Sequence, residues 1–184
     1  DDMGHAYKPG ARMKMPQLAG TLKLIAKHGR DVFYTGEIAN RIVQGSRDLG
    51  GLLTEEDFAE YTAYWDRPIS IKYRDYEIYT TPPNSSGFQV LQTLKLMECF
   101  GEDELVFQYP DTLHAQIEAI KLCVTDRIRY GGDPDYVKVP LRGLLSETYA
   151  HKQRQRIDPG VAAPVSGERY TIGRPHDSIE PGDV

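Results

Sequence analysis

Ser85 and Ser86 are the residues of this sequence best placed to act as a nucleophile. They lie where a predicted strand passes into a predicted helix. At such a junction a serine hydroxyl can be exposed while the first backbone N–H groups of the helix stabilise an oxyanion. The neighbouring residues do not form the Gly-x-Ser-x-Gly pattern of that arrangement. A second interpretation stays open, in which one of the two serines only caps the helix.

Residues that could bind a metal are present without the required spacing. They are Cys99, Cys123, His5, His28, His114, His151 and His176. No Cys-x-x-Cys, paired histidines or His-Glu-x-x-His occurs among them, although zinc sites draw their ligands from such short spacings. The glycine-rich patterns that cradle nucleotide phosphates are also absent. The sequence therefore predicts neither a metal site nor a cofactor.

The charge balance limits the classes of partner. The 184 residues include 22 basic and 27 acidic side chains, which gives a formal charge of −5. A net negative charge disfavours binding to nucleic acid or to an anionic membrane, because both interactions depend on Lys and Arg. The longest apolar runs are only a few residues, so the sequence predicts no segment that spans a bilayer.

The spacing of apolar residues predicts three helices in the first third of the chain. One extends from Pro16 to near Gly29, the next from about Glu37 to Gly50, and a short helix follows Thr54, which has the residue type of an N-cap. The residues predicted to face inward are Leu18, Leu22, Ile25, Ile38, Ile42, Val43 and Leu49.

After Pro68 the apolar period changes to two, which is typical of strands. The alternation predicts a β-hairpin over about residues 69–81 that turns at Arg74-Asp75. Two consecutive prolines at 82 and 83 cannot continue the ladder, because they lack backbone donors. A helix is predicted next, from about Phe88 to Phe100.

The longest regular pattern begins at Pro110 and ends near Gly131. It predicts the central helix, and we expect Ile120 to lie in the core. One more helix is predicted from Ser146 to Ile157, and the residues after Asp158 are rich in Pro and Gly, which is typical of an extended or mobile tail. The predicted fold class is a helix-rich α+β fold with one hairpin. The residues predicted to form the buried face of the long helix are Leu113, Ile117, Ile120, Val124 and Ile128.

Five blocks of this sequence, taken in order, resemble the large subunit of the γ-glutamyltranspeptidase family. Each block is short, but their order over about residues 10–158 makes the match specific. The blocks are 16–29 with 31–39, Gly50-Gly-Leu-Leu-Thr-Glu-Glu-Asp-Phe58, 68–76 with its Tyr-Arg-Asp-Tyr turn, Pro82-Pro-Asn-Ser-Ser-Gly87, and Asp126-Arg127 with Gly132-Asp-Pro-Asp-Tyr-Val-Lys-Val-Pro140.

Members of this family are N-terminal nucleophile hydrolases of αββα architecture, made as one precursor that cuts itself into a large and a small subunit. The resemblance implies that residues 1–158 are a large-subunit segment and that 159–184 form an extended tail leading to the self-cleavage point. It also implies that the nucleophile is the threonine that begins the small subunit, with its free amine as the base. We therefore expect no catalytic residue on this chain, and the small subunit as its partner. The first residues, Asp1-Asp2, fit the expectation of a fragment or a processed subunit.

On this resemblance Ser85, Ser86 and Gly87 are candidates only for a wall near the substrate pocket. The implied substrate is a small γ-glutamyl amide such as glutathione, whose γ-glutamyl group passes to water or to an amine. Two alternatives stay open. In the first, the intact protein is a related acylase that acts on a glutaryl-type β-lactam side chain or on poly-γ-glutamate. In the second, the chain is a non-catalytic interaction module on the same scaffold. The sequence leaves open whether Val184 precedes or replaces the threonine.

Overall fold

A computed structural model of the chain describes residues 6–101, 103–164 and 173–178. Backbone proximity divides the chain into two compact units, residues 1–64 and 65–184. The boundary predicted at residue 158 lies inside the second unit and stays a prediction. Within the described residues, no helix is both long and apolar enough to cross a membrane.

The described part of the first unit is helical. Its helices are α1 (Pro16–His28), α2 (Asp31–Tyr34), α3 (Glu37–Asp48) and α4 (Glu55–Ala59). Their ends follow the local signals in the sequence: Pro16 occupies the first turn of α1, and the side chain of Thr54 accepts a hydrogen bond from the backbone N–H of Asp57 in a capping box. The predicted helices of this unit are therefore confirmed, with α2 as an addition.

The inward face predicted for this unit is only partly correct. Ile38 and Val43 of α3 are buried, as predicted, whereas Leu18 and Leu22 of α1 are exposed and Leu49 is 90% exposed. A period of three or four residues identifies which side chains share a helix face. It does not say whether another element of the same chain covers that face.

The second unit begins with the predicted hairpin. Its strands, β1 (Ile69–Tyr73) and β2 (Tyr76–Thr80), pair antiparallel, with Ile71 opposite Ile78. The turn falls at Arg74, whose φ of 52° is left-handed, and the Arg74 backbone N–H donates to the Glu98 carboxylate at 2.7 Å. This hydrogen bond connects the hairpin turn to the C-terminal end of the next helix, Gly87–Met97.

Four helices and a short 3₁₀ turn complete the described part of this unit. They are α5 (Gly87–Met97), α6 (Pro110–Tyr130), α7 (Leu141–Leu144), α8 (Glu147–Arg154) and the 3₁₀ turn Pro175–Ser178. Helix α5 packs against both α6 and α8, and against the hairpin. The main hydrophobic cluster joins Leu96, Met97, Ala115, Ala119, Leu122, Cys123 and Ile157. The helix-rich α+β class with one hairpin is thus confirmed.

Helix α6 has the predicted length, but its buried face is not the predicted one. The side chains that face the core include Ala119, Leu122 and Cys123, while Ile120 is 45% exposed and Ile128 is 73% exposed. The prediction that Ile120 lies in the core of this chain is therefore wrong. The small residues on the inner face allow α5 to approach closely, whereas the large aliphatic residues face away from it.

The predicted tail lies partly outside the described residues, which omit 165–172 and 179–184. Its described parts contact their own unit. The Tyr130 hydroxyl donates to the Gly173 carbonyl at 2.7 Å, the Lys121 ammonium donates to the Ala163 carbonyl at 2.8 Å, and Pro175 is fully buried. These two stretches of the predicted extended or mobile tail therefore contact their own unit.

Candidate functional site

The turn between β2 and α5 carries the two serines singled out in the sequence. The half-buried Ser85 hydroxyl oxygen accepts a hydrogen bond from the Thr81 hydroxyl at 2.7 Å and from the Gly87 backbone N–H at 3.2 Å. Because Gly87 begins α5, Ser85 satisfies one of the backbone donors that a helix start leaves without a partner. The contacts of Ser85 are those of a side chain that stabilises the helix start.

Ser86 occupies the N-cap position of α5, but its side chain makes no capping hydrogen bond. Instead, its exposed hydroxyl oxygen accepts from Nη1 of Arg127 on α6 at 3.3 Å. Among the described residues, the buried Nε of Arg127 has no hydrogen-bond partner. The structure thus brings together the Ser-Ser-Gly block and the Asp-Arg block, which lie 41 residues apart in the sequence.

Gly87 is needed for the close approach of α5 to the end of the hairpin. A Cβ atom at this position would lie 2.3 Å from Oγ1 of Thr80 and 2.8 Å from the carbonyl oxygen of Thr81. Real Cβ atoms do not come so close to backbone atoms, so a larger residue would push the helix start away from β2. The close approach of α5 to β2 therefore requires glycine at position 87.

Within the described residues, no hydrogen bond joins Ser85 or Ser86 to a general base. A serine nucleophile needs a base at hydrogen-bond distance, most often a histidine. The hydrogen-bond partners of Ser85 and Ser86 are a threonine hydroxyl, a backbone amide and an arginine. An arginine stays protonated and cannot accept the serine proton.

A groove of about 560 Å³ lies beside this turn. Pro82 and Pro83 line it, together with residues of the 134–141 loop and Asp66. In the same loop, the Asp133 carboxylate accepts from the Asp135 backbone N–H at 3.0 Å, which folds the segment into a tight turn. The Pro82–Gly87 block and the Gly132–Pro140 block therefore meet at one surface.

A buried polar hub lies at the centre of the second unit. Asp126 on α6 is 1% exposed, and its Oδ2 atom accepts three hydrogen bonds. The donors are Nε2 of Gln92 at 2.6 Å, the Tyr149 hydroxyl at 2.8 Å and Nε2 of Gln153 at 2.9 Å. One carboxylate oxygen thereby connects α5, α6 and α8, the layer on which the Ser85–Gly87 turn rests.

Burial dominates the protonation chemistry of this hub. Desolvation raises the pKa of Asp126 above its usual value, against the opposing effect of its three hydrogen bonds. Burial and the neighbouring Asp126 charge likewise raise the pKa of Tyr149. Within the described residues, Oδ1 of Asp126 and Oε1 of Gln92 have no hydrogen-bond partner. No local sequence pattern indicates the hub, although Asp126 belongs to one of the five blocks that resemble the family.

Two of the histidines that the structure describes have contacts with other elements. Nε2 of His114 lies 2.8 Å from the Asp158 carbonyl oxygen, and the ring of His176 packs edge-on against Tyr130. Across residues 6–101, 103–164 and 173–178, no group of three or more His, Cys, Asp or Glu side chains is arranged to hold a metal ion.

The family model for gamma-glutamyltranspeptidase matches residues 2–181 of the chain. The chain belongs to the gamma-glutamyltranspeptidase family. It is 39% identical over 176 residues to the glutathione hydrolase proenzyme of Escherichia coli (strain K12), which covers 95% of this chain and 30% of that protein. The chain therefore spans about a third of the length of this relative.

Two solved structures have the same fold over this segment. The gamma-glutamyltranspeptidase of Pseudomonas nitroreducens, solved as a complex with L-DON, matches 86% of this chain and 48% of its own, with a TM-score of 0.73 at 33% identity. The cephalosporin acylase of Bacillus halodurans matches 85% of this chain and 29% of its own, with a TM-score of 0.73 at 36% identity. The expected membership of the N-terminal nucleophile hydrolase architecture is thus confirmed.

Proposed function

We propose that this chain is a scaffold segment of an enzyme that cleaves γ-glutamyl amides of the glutathione class. The observation that carries the proposal is the alignment of 95% of the chain with a glutathione hydrolase proenzyme. The serine turn adds to it, because the hydrogen bonds of Ser85 and Ser86 within the described residues supply no base for a nucleophile. Chemistry by the intact protein then needs a nucleophile from outside the segment.

In the proposed reaction, a threonine hydroxyl outside this chain attacks the γ-carbonyl carbon of the substrate. The free amine of that threonine takes the hydroxyl proton and returns it to the departing amine. The acyl-enzyme then transfers its γ-glutamyl group to water or to an acceptor amine. The partner of this chain is accordingly the small subunit, a proposal supported by the proenzyme nature of its relatives.

Within this scheme, Ser85, Ser86 and Gly87 form a wall near the substrate pocket. Three features support the assignment: Ser86 is exposed, Arg127 donates a hydrogen bond to its hydroxyl oxygen, and Gly87 lets the start of α5 lie close to Thr80. An accessible hydroxyl with a defined hydrogen bond can orient a ligand without reacting with it.

A related amide acylase is the second candidate. The similarity to the cephalosporin acylase of Bacillus halodurans equals that to the Pseudomonas nitroreducens enzyme in TM-score, at slightly higher identity. This scaffold is therefore compatible with a glutaryl-type side chain or with poly-γ-glutamate as the substrate. A non-catalytic module on the same scaffold is the third possibility, and it predicts no turnover by the intact protein.

The test compares the 184-residue chain with the intact protein that contains it, on a γ-glutamyl anilide and on a glutaryl anilide. We expect turnover of the γ-glutamyl substrate by the intact protein and none by the chain alone. Preference for the glutaryl substrate would favour the acylase, and no turnover of either by a folded intact protein would favour the module. Activity of the chain that disappears in a Ser85→Ala, Ser86→Ala double variant would overturn the scaffold role.

A further inference from the structure

Helix α6 carries apolar side chains on two opposite faces. The inner face packs on α5 and α8 through residues such as Ala119 and Leu122. The outer stripe consists of Leu113, Ile117, Ile120, Val124 and Ile128, spaced four, three, four and four residues apart. At 100° per residue the two sets point in nearly opposite directions. Four members of the outer stripe are exposed and Val124 is half-buried.

The outer stripe continues into the loop before α6. Val106, Phe107 and Tyr109 are all exposed there, Phe107 to 86%. A groove of about 490 Å³ joins this loop to the helix and is lined by residues 107–110, Thr112, Leu113 and Gln116. The lining includes no charged side chain. The apolar surface therefore extends from the loop along the helix.

An apolar stripe on a helix is stabilised when it is buried against another element. In a layered fold, each apolar face of a helix must pack against another layer. The second unit supplies one such layer, made of α5 and α8. Its described β-structure is a two-stranded hairpin of five-residue strands that packs on α5. The described part of this unit thus covers one face of α6 and leaves the other open.

We propose that the outer stripe of α6 is buried against the part of the proenzyme polypeptide that this chain does not contain. The occupant is an uncharged, aliphatic face of that polypeptide, matching the uncharged stripe. The main support is length, because the chain spans 30% of the glutathione hydrolase proenzyme and leaves ample polypeptide to form a second layer. The inference rests on the proposed function only in taking the chain to be a segment of such a proenzyme.

A second copy of the chain fits this surface less well. The stripe spans 16 residues, or about 22 Å from first to last along a helix about 10 Å wide, which gives a footprint of about 220 Å². Stable interfaces between separate proteins bury about 800 Å² on each partner. A segment of the same polypeptide avoids most of the entropic cost of association, so a narrow stripe is sufficient for it.

Cysteine labelling tests the proposal without a destabilising change. The probe is Ile120→Cys in a Cys99→Ser background, because Cys99 is half-buried whereas Cys123 is fully buried. We expect rapid labelling of Ile120→Cys in the 184-residue chain and labelling at least tenfold slower in the intact proenzyme. Arg129→Cys is the control: it is exposed on the same helix, lies off the stripe, and should react at similar rates in both proteins.

A second pair of variants measures the consequence for folding. Ile117→Gln with Ile120→Gln should leave the melting temperature of the chain within about 1 °C of the parent, and lower that of the intact proenzyme by about 4 °C or more. Arg129→Gln should leave both unchanged. Equal labelling of Ile120→Cys in both proteins would overturn the proposal. A chain dimer that the double variant dissociates, with no effect on the proenzyme, would also overturn it in favour of a second copy.

The outcomes separate this inference from the proposed function. Protection of Ile120→Cys in a proenzyme without γ-glutamyl or acylase activity supports the packing inference and contradicts the proposed enzyme. Fast labelling of Ile120→Cys in a proenzyme with full γ-glutamyl activity contradicts the packing inference and supports the proposed enzyme.

Discussion

The two faces of α6 both carry apolar residues but lie in opposite environments. The inner face is built largely from small side chains, among them Ala115, Ala119 and Cys123, and it is buried. The outer stripe is built from Leu, Ile and Val, and most of it is exposed. Close helix packing favours small residues at the contact, so the largest aliphatic side chains need not mark the face that a segment buries by itself. In a segment of a larger protein, such side chains can mark the face that another segment covers.

The largest effect should come from the inner face. Leu122→Ala removes a side chain that is 3% exposed and lies in the main hydrophobic cluster. Truncation of a buried leucine leaves a cavity and typically costs about 2–5 kcal/mol. We expect a loss in this range from the free energy of unfolding of the 184-residue chain, measured in urea. A loss below about 1 kcal/mol would contradict the burial of this face.

The next effect should come from the hub on the same face. Asp126→Ala leaves Gln92, Tyr149 and Gln153 without their shared acceptor. A buried donor without a partner costs about 1–3 kcal/mol. Water that enters the space left by the carboxylate can accept hydrogen bonds from these donors, so we expect a total loss of stability towards the low end of this range. Asp126→Asn keeps an acceptor oxygen and nearly the same volume, so it should cost less than the alanine variant. Equal losses in the two variants would show that the hydrogen bonds contribute little.

The pH dependence of the hub should be smaller and of defined sign. The folded pKa of Asp126 is raised, so the native state binds this proton more tightly than the unfolded chain does. The contribution of Asp126 protonation to the free energy of unfolding is therefore fully present below the unfolded pKa of about 3.9, and it is lost as pH rises through the folded pKa. Relative to Asp126→Asn, the parent chain should therefore lose stability as pH increases from about 4. Parallel stability curves from pH 4 to 8 would contradict a raised pKa.

The smallest effect should come from the outer stripe. Ile120→Ala in the isolated chain alters a side chain that is 45% exposed, and surface substitutions usually change stability by less than about 0.5 kcal/mol. Urea melts of Ile120→Ala beside Leu122→Ala therefore contrast the two faces directly. A cost for Ile120→Ala as large as that for Leu122→Ala would mean that the outer stripe packs within this chain.

Local signals predicted the elements well. Pro16, Thr54 and Pro110 fixed helix starts, and the alternation after Pro68 gave the hairpin with its turn at Arg74, because each of these signals acts within a few residues. The short α2 and α7, of four residues each, carry too little periodicity to be identified.

Contacts between residues that are distant in the sequence could not be predicted from the periodicity of apolar residues. The Arg127 contact with Ser86 and the Gln92 contact with Asp126 join positions 41 and 34 residues apart. Nothing in the local sequence distinguishes a solvated aspartate from a buried one. The inner face of α6 was misassigned for a related reason, since periodicity reports which residues share a face and not what lies opposite that face.

The sharing of one oxygen atom by three donors has an evolutionary consequence. Any single change at Gln92, Asp126, Tyr149 or Gln153 alters the geometry available to the other three, so the effects of substitutions at these positions will not add. A lineage can then leave this arrangement only by passing through a less stable intermediate or by changing several positions together. These four residues should accordingly be inherited as a set, and relatives that replace one of them should carry compensating replacements at the others.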